Sequence, residues 1–446
     1  MTVADSVLTI PAGWYSDPLG RFPLRYWDGG AWSPYGWNGV MLHDPYGTEP
    51  TPPWTVRLRG AFRFSRTSLA ITVAILVGCG VATFLGASPS QLSGDLAVWL
   101  FVPLVFLAQV GDRVRWLGWI VVGLGGLLAL LLFFVGLTMA LPPTSSPGEA
   151  LTYAAGGIGL IAVLVPNVRR WIARLIPIDP QRVVHTVALQ LAILVLVSWF
   201  AGQASGSALD AKTYQGGGPV DIPLGELPLL VGGFVGVGIF VQRNFAETLL
   251  RLGLVRPKRL QFVAALLVAQ LMALVGVGAD FLSNWLTPQT ANQLNQVSNA
   301  LYGSFGSDIL PWLLLAVSAG VAEEILFRGA LQPRLGLLLT SVLFTTTHLQ
   351  YGFSIVLGVI LLGGLSLGLL RKYANTTTAI VCHVTYDLLA GLQFPSWWLF
   401  VAVGVQLPVL LFFVIRHRAA VKRALAEILR GRQQPQPAAP AVAGPA

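Results

Sequence analysis

The sequence predicts an all-α polytopic membrane protein of about twelve transmembrane helices, preceded by a small β-rich N-terminal module. Three observations predict it. Of 446 residues, 54% are hydrophobic and only 11% charged, with a mean hydropathy of +0.69. The apolar residues gather into runs near the ~20 residues with which a helix crosses a bilayer. The basic residues cluster in short segments on alternate sides of those runs, the asymmetry that marks the cytoplasmic face. A net charge of +9 would otherwise suggest nucleic acid. Its distribution excludes that partner and points to the lipid bilayer.

Residues 1–40 stand apart. The strings Pro11-Ala-Gly-Trp-Tyr-Ser-Asp-Pro18 and Leu24-Arg-Tyr-Trp-Asp-Gly29, then Trp32, combine turn residues with alternating aromatics. They predict a small β-hairpin unit held by Trp and Tyr packing, an accessory surface module. Residues 41–66 form a basic linker, Pro- and Gly-rich over 38–56, with Arg57, Arg59, Arg63 and Arg66 ahead of the first span. Residues 1–66 hold no apolar h-region, so the first span is expected to act as the insertion signal.

The spans are predicted near 68–87, 95–110, 116–140, 149–167, 184–203, 224–242, 261–285, 309–333, 336–351, 353–370, 376–393 and 397–415. The ninth is the shortest. Residues 67–305 are accessory helices, 306–395 carry the polar motifs, 396–418 form the last helix, and 419–446 a basic and then disordered tail. Both termini fall on the cytoplasmic side. The two cysteines, Cys79 and Cys382, sit far apart and make neither a disulfide framework nor a zinc pattern. Cys382 adjoins His383, but adjacent helix positions point ~100° apart, so it is expected in the core.

Charge inside the apolar runs is concentrated in three places: Glu323, Glu324 and Arg328; Phe344 with His348; His383 with Asp387. A charged side chain at mid-bilayer costs roughly 2.5–3.5 kcal/mol, so this set marks a polar site. Glu324 and Arg328 are stacked one helical turn apart and form a structural ion pair near the cytoplasmic boundary. Glu323 faces elsewhere without a local partner, above Gly320, which leaves room for a neighbouring helix. A turn falls near Arg334–Gly336. Glu323 and His348 lie about a dozen residues either side of it, each roughly 18 Å away at helical rise. His383 lies some ten residues into the eleventh span, and Asp387 one turn beyond. If the three helices pack together, Glu323, His348, His383 and Asp387 share one layer.

A carboxylate and imidazoles in apolar surroundings suit general acid–base work on water, with a second imidazole to stabilise charge on a carbonyl oxygen. No motif supplies a Ser or Cys nucleophile, which favours direct attack by water.

The patterns EE-x-x-x-R, F-x-x-x-H and H-x-x-x-D, in that order over roughly 309–393, resemble the CPBP intramembrane protease family. That family includes the CAAX-processing endopeptidases and the bacterial Abi-type proteins. The resemblance implies intramembrane hydrolysis of a protein or peptide in a bacterial cell membrane. It implies water activated by Glu323 and His348, and oxyanion stabilisation by His383 and Asp387, with Glu324, Arg328 and Phe344 in support. The best-studied members carry Asn where this chain has Asp387. An Asp donates a hydrogen bond only when protonated; otherwise it orients His383. The resemblance favours a metal-free glutamate mechanism, with zinc on Glu323, His348 and His383 as the alternative. The N-terminal module resembles the short domain of unknown function DUF2510. Two other functions compete. One is a non-catalytic bacteriocin-immunity or membrane scaffold protein. The other is a transporter, which would call for paired broken helices in two halves; no internal repeat is found.

Overall fold

A computed structural model describes residues 11–18, 22–28, 32–37, 41–43 and 66–392 apart from 87–88, 113, 143–145, 215, 217 and 219–220, with isolated positions from 397 to 418. The chain divides into two compact units, residues 1–61 with 404–446 and residues 62–403.

In the first unit, the aromatic strings form an antiparallel meander of four strands: β1 (Gly13–Ser16), β2 (Leu24–Trp27), β3 (Trp32–Trp37) and β4 (Met41–His43). The register sets Trp14 opposite Tyr26 and Trp27 opposite Trp32. The rings meet edge to face at centroid distances of 5.4 and 5.2 Å, the geometry their quadrupoles favour. Aromatic packing is only half of the design. Arg25 is fully buried and reaches Asp17 through Nε at 2.8 Å, while its NH1 donates to Ser33 O at 3.0 Å. The hairpin expected from the sequence is thus a larger sheet, and β4 falls within the segment expected as linker.

The second unit is helical. Its elements are α1 (Arg66–Gly86), α2 (Pro89–Gly111), α3 (Arg115–Met139), α4 (Pro147–Ala162), α5 (Pro166–Ile172), α6 (Val183–Ala204) and α7 (Asp221–Gly236). Next come α8 (Phe245–Leu252), α9 (Arg259–Leu286), α10 (Pro288–Tyr302), α11 (Ile309–Glu324), α12 (Gln332–Thr347), α13 (Ile355–Tyr373) and α14 (Thr376–Gly391). Helix α11 packs on α7 and α14, α9 on α13 and α14, and α12 on α13. The main apolar cluster, with Phe327, Leu335, Leu343, Phe344, Leu367 and Cys382, lies among them. Cys382 is buried there, as expected of a core residue.

The span count differs from twelve. Among the described residues, five stretches are long and apolar enough to cross a bilayer, or six if the bent pair α4–α5 is one span. The physical reasons are local. Helices α4 and α5 meet at 94°. Helices α7 and α14 have 16 residues each, or ~24 Å at helical rise, short of the ~30 Å hydrocarbon core. The expected span at 397–415 lies for the larger part outside the described residues.

The stretch Ile309–Thr347 runs for 39 residues but reverses direction. Gly336 has φ 80° and ψ 169°, a conformation open to glycine. On one straight helix Phe327 and Phe344 would stand ~25 Å apart; their ring centroids are 5.4 Å apart. The chain therefore makes a hairpin where the sequence predicts the turn. Just before it, residues Ile325–Leu331 are π-helical. Pro333 has no N–H to offer Gly329 O. Arg251 of α8 supplies the missing donors, to Gly329 O at 2.8 Å and Ala330 O at 3.3 Å, and Arg371 of α13 donates to Arg328 O at 3.2 Å.

Candidate functional site

Helix α11 and the π-helical segment carry Glu323, Glu324 and Arg328; α12 carries Phe344 and ends at His348; α14 carries His383 and Asp387. The approach of α11 to α14 is set by Gly320. A Cβ there would stand 2.7 Å from Val384 Cγ2 and 3.1 Å from Val384 N. The small residue thus admits a neighbouring helix, and the next residue along that helix's inner turn is His383.

His383 is the centre of the cluster. Its Nδ1 lies 3.0 Å from Glu324 Oε1, which is also 3.0 Å from Arg328 NH1 in an ion pair. Beside the ion-paired Glu324 carboxylate, Nδ1 is the donor. Nε2 then faces Asp387 Oδ2 at 3.6 Å and Glu323 Oε2 at 3.9 Å, both too long for a direct hydrogen bond. Exposure sorts the carboxylates. The side chains of Glu324 and Arg328 are 0% and 1% exposed, whereas those of Glu323 and Asp387 are 13% and 19% exposed. One side of the imidazole is a closed ion-pair anchor, and the other meets two carboxylates whose side chains are partly exposed.

Arg328 is held from further directions. Its NH2 donates to Gly364 O at 3.2 Å, and its guanidinium lies 4.1 Å from the Phe344 ring centre, within cation–π range. Phe344 joins the two histidines, with centroid distances of 4.8 Å to His348 and 5.9 Å to His383. His348 Nδ1 donates to Phe344 O at 2.9 Å. That leaves Nε2 with the lone pair. Tyr351 stacks beside the ring, with centroids 6.1 Å apart.

The structure therefore brings Glu323, His383 and Asp387 together, with Glu324 and Arg328 behind them, and joins His348 to the group through Phe344. The Glu324–Arg328 pair forms as the spacing predicts. Its second partner, His383, was not readable, because it comes from another helix 59 residues on. Tyr351 was missed as well; an aromatic residue one turn after a site histidine is the signal it leaves. Among the described residues no group of three His, Cys, Asp or Glu side chains converges as a metal set.

Residues 305–389 match the family model described as type II CAAX prenyl endopeptidase Rce1-like. The matched segment contains α11, the π-helical turn, α12, α13 and α14 up to Leu389. No curated protein matches the chain, and no solved structure does.

Proposed function

We propose that this chain, with its Rce1-like segment at residues 305–389, cleaves peptide bonds of a membrane-associated protein or peptide by Glu- and His-activated water. The match supports an intramembrane endopeptidase in general terms. One observation carries the residue roles: His383 stands between the closed Glu324–Arg328 pair and two partly exposed carboxylates, Glu323 and Asp387.

In this reading Glu323, assisted by His348, takes a proton from water as the water oxygen bonds to the carbonyl carbon. The carbonyl π electrons move onto oxygen, and His383, as an imidazolium whose Nδ1–H is held by Glu324, donates through Nε2–H and stabilises that charge. Glu324 holds the imidazolium by its Nδ1–H from behind, and Asp387 orients it from the front. The C–N bond then breaks, and the proton held by Glu323 or His348 passes to the leaving amine. The products are a carboxylate and an amine, with no acyl-enzyme between them. The clustering of Lys and Arg on alternate loops supports a cytoplasmic location for both termini, in a bacterial cell membrane.

Peptide cleavage by the purified chain in nanodiscs, with hydroxylamine added, tests the mechanism. Direct attack by water gives only the carboxylate product. Formation of a hydroxamate would mean a covalent acyl intermediate and would overturn it.

A further inference from the structure

Between α9, α13 and the start of α14 the surface opens a groove of about 380 Å³. None of the site residues lines it. Leu260, Ala264 and Val268 form one wall and Leu369 and Leu370 the other. Both walls belong to helices long and apolar enough to span a bilayer, so the groove opens to lipid.

Its two ends differ. Helix α9 starts where α13 stops and α14 begins, and polar contacts tie these ends together. Asn375 Nδ2 donates to Gln261 Oε1 at 3.3 Å, and Val255 N donates to Thr377 Oγ1 at 3.0 Å. Lys258 and Arg259 precede the first wall and Lys372 ends the second; all three are exposed. Lys372 Nζ lies 5.6 Å from the ring centre of Tyr373, itself a lining residue. The sequence has no Asp or Glu from 248 to 279 or from 325 to 386, so this end of the groove carries net positive charge. From Gln261 to Val268 the apolar wall runs ~10 Å away from the charged end, at helical rise.

We infer that this groove holds an acyl chain of an anionic glycerophospholipid, with the headgroup phosphate at Lys258, Arg259 and Lys372. A basic pocket between membrane helices is the arrangement that selects anionic headgroups, and the apolar walls take the chain. A zwitterionic lipid would satisfy the walls but not the cations. The inference does not rest on proteolysis and applies equally to a scaffold.

The test is native mass spectrometry of the full chain from nanodiscs of equimolar phosphatidylglycerol and phosphatidylcholine. One phosphatidylglycerol per chain is expected, in about tenfold preference over phosphatidylcholine. The triple variant K258E/R259E/K372E is expected to lose the preference, and Ala264→Trp, which fills the groove, to lose the lipid. Equal retention of the two lipids by the native chain would overturn the proposal. So would phosphatidylglycerol retained undiminished by Ala264→Trp, which would assign the headgroup effect to surface charge alone. The native-chain preference needs no variant, so a misfolded variant does not shelter the idea.

Discussion

Two buried ion pairs in this chain solve the same electrostatic problem differently. In the N-terminal sheet, Asp17 receives Arg25 Nε at 2.8 Å and Phe22 N at 2.9 Å, and Arg25 also donates to Ser33 O. Both side chains are fully buried, and the pair is closed on itself. Around His383, Glu324 and Arg328 are just as buried, but the cluster holds more carboxylates than its one arginine serves. Among the described residues, Glu323 Oε2 and Glu324 Oε2 have no hydrogen-bond partner. A saturated pair fixes a fold. A cluster with unspent acceptors costs stability, because a buried polar group without a partner is unfavourable, and it persists where chemistry uses it.

The comparison breaks if the two sites respond alike to substitution. Glu323→Gln should show the largest effect, a loss of peptide cleavage on the order of 10²–10⁴-fold. Its thermal midpoint in detergent should stay level or rise, since an underserved charge is removed. Lower stability with activity intact would erase the distinction. Asp17→Ala should do the reverse. It strands Arg25 in the interior at a cost of about 3–5 kcal/mol, read as faster limited proteolysis of residues 11–43, with cleavage unchanged.

Gly320→Ala sharpens the contrast, because it touches packing and chemistry together. The added methyl meets Val384, next to His383, and overpacking of this kind costs about 1–3 kcal/mol. Stability and cleavage should fall in step; cleavage unaffected by a measurable loss of stability would detach the helix crossing from the site. The smallest effect belongs to a third, half-open pair. Asp112 receives Arg182 Nε at 3.0 Å and Val183 N at 2.6 Å at the start of α6. Arg182 is 24% exposed. Asp112→Ala should cost about 1 kcal/mol as a lost cap, visible as faster hydrogen exchange in the first turn of α6.

The polar layer was legible because charge is rare in this chain and its spacing is regular. Glu323, His383 and Asp387 meet, and His348, which equal offsets from the turn set level with Glu323, adjoins them through Phe344; the turn itself was read at Arg334–Gly336. The second bond of Glu324 was not legible, since helix periodicity relates residues on one helix and says nothing about the partner across it. The π-helical turn was hidden for a similar reason: Arg251 and Arg371, which serve its carbonyls, come from α8 and α13. Twelve spans were not recovered among the described residues, in part because apolar composition does not separate a full crossing from a 16-residue helix such as α7. In the sheet the aromatic alternation announced strands, while the Asp17–Arg25 pair needed the register between β1 and β2 to appear.

Mass spectrometry of new peptide termini in membranes and medium tests the central claim most directly, with the native chain and Glu323→Ala compared in the same cells at matched expression. A set of termini present with the native chain and absent with the variant is the predicted result, and it would name the substrate. Identical termini in both would contradict proteolysis at this site and assign the charged layer to a binding or scaffold role.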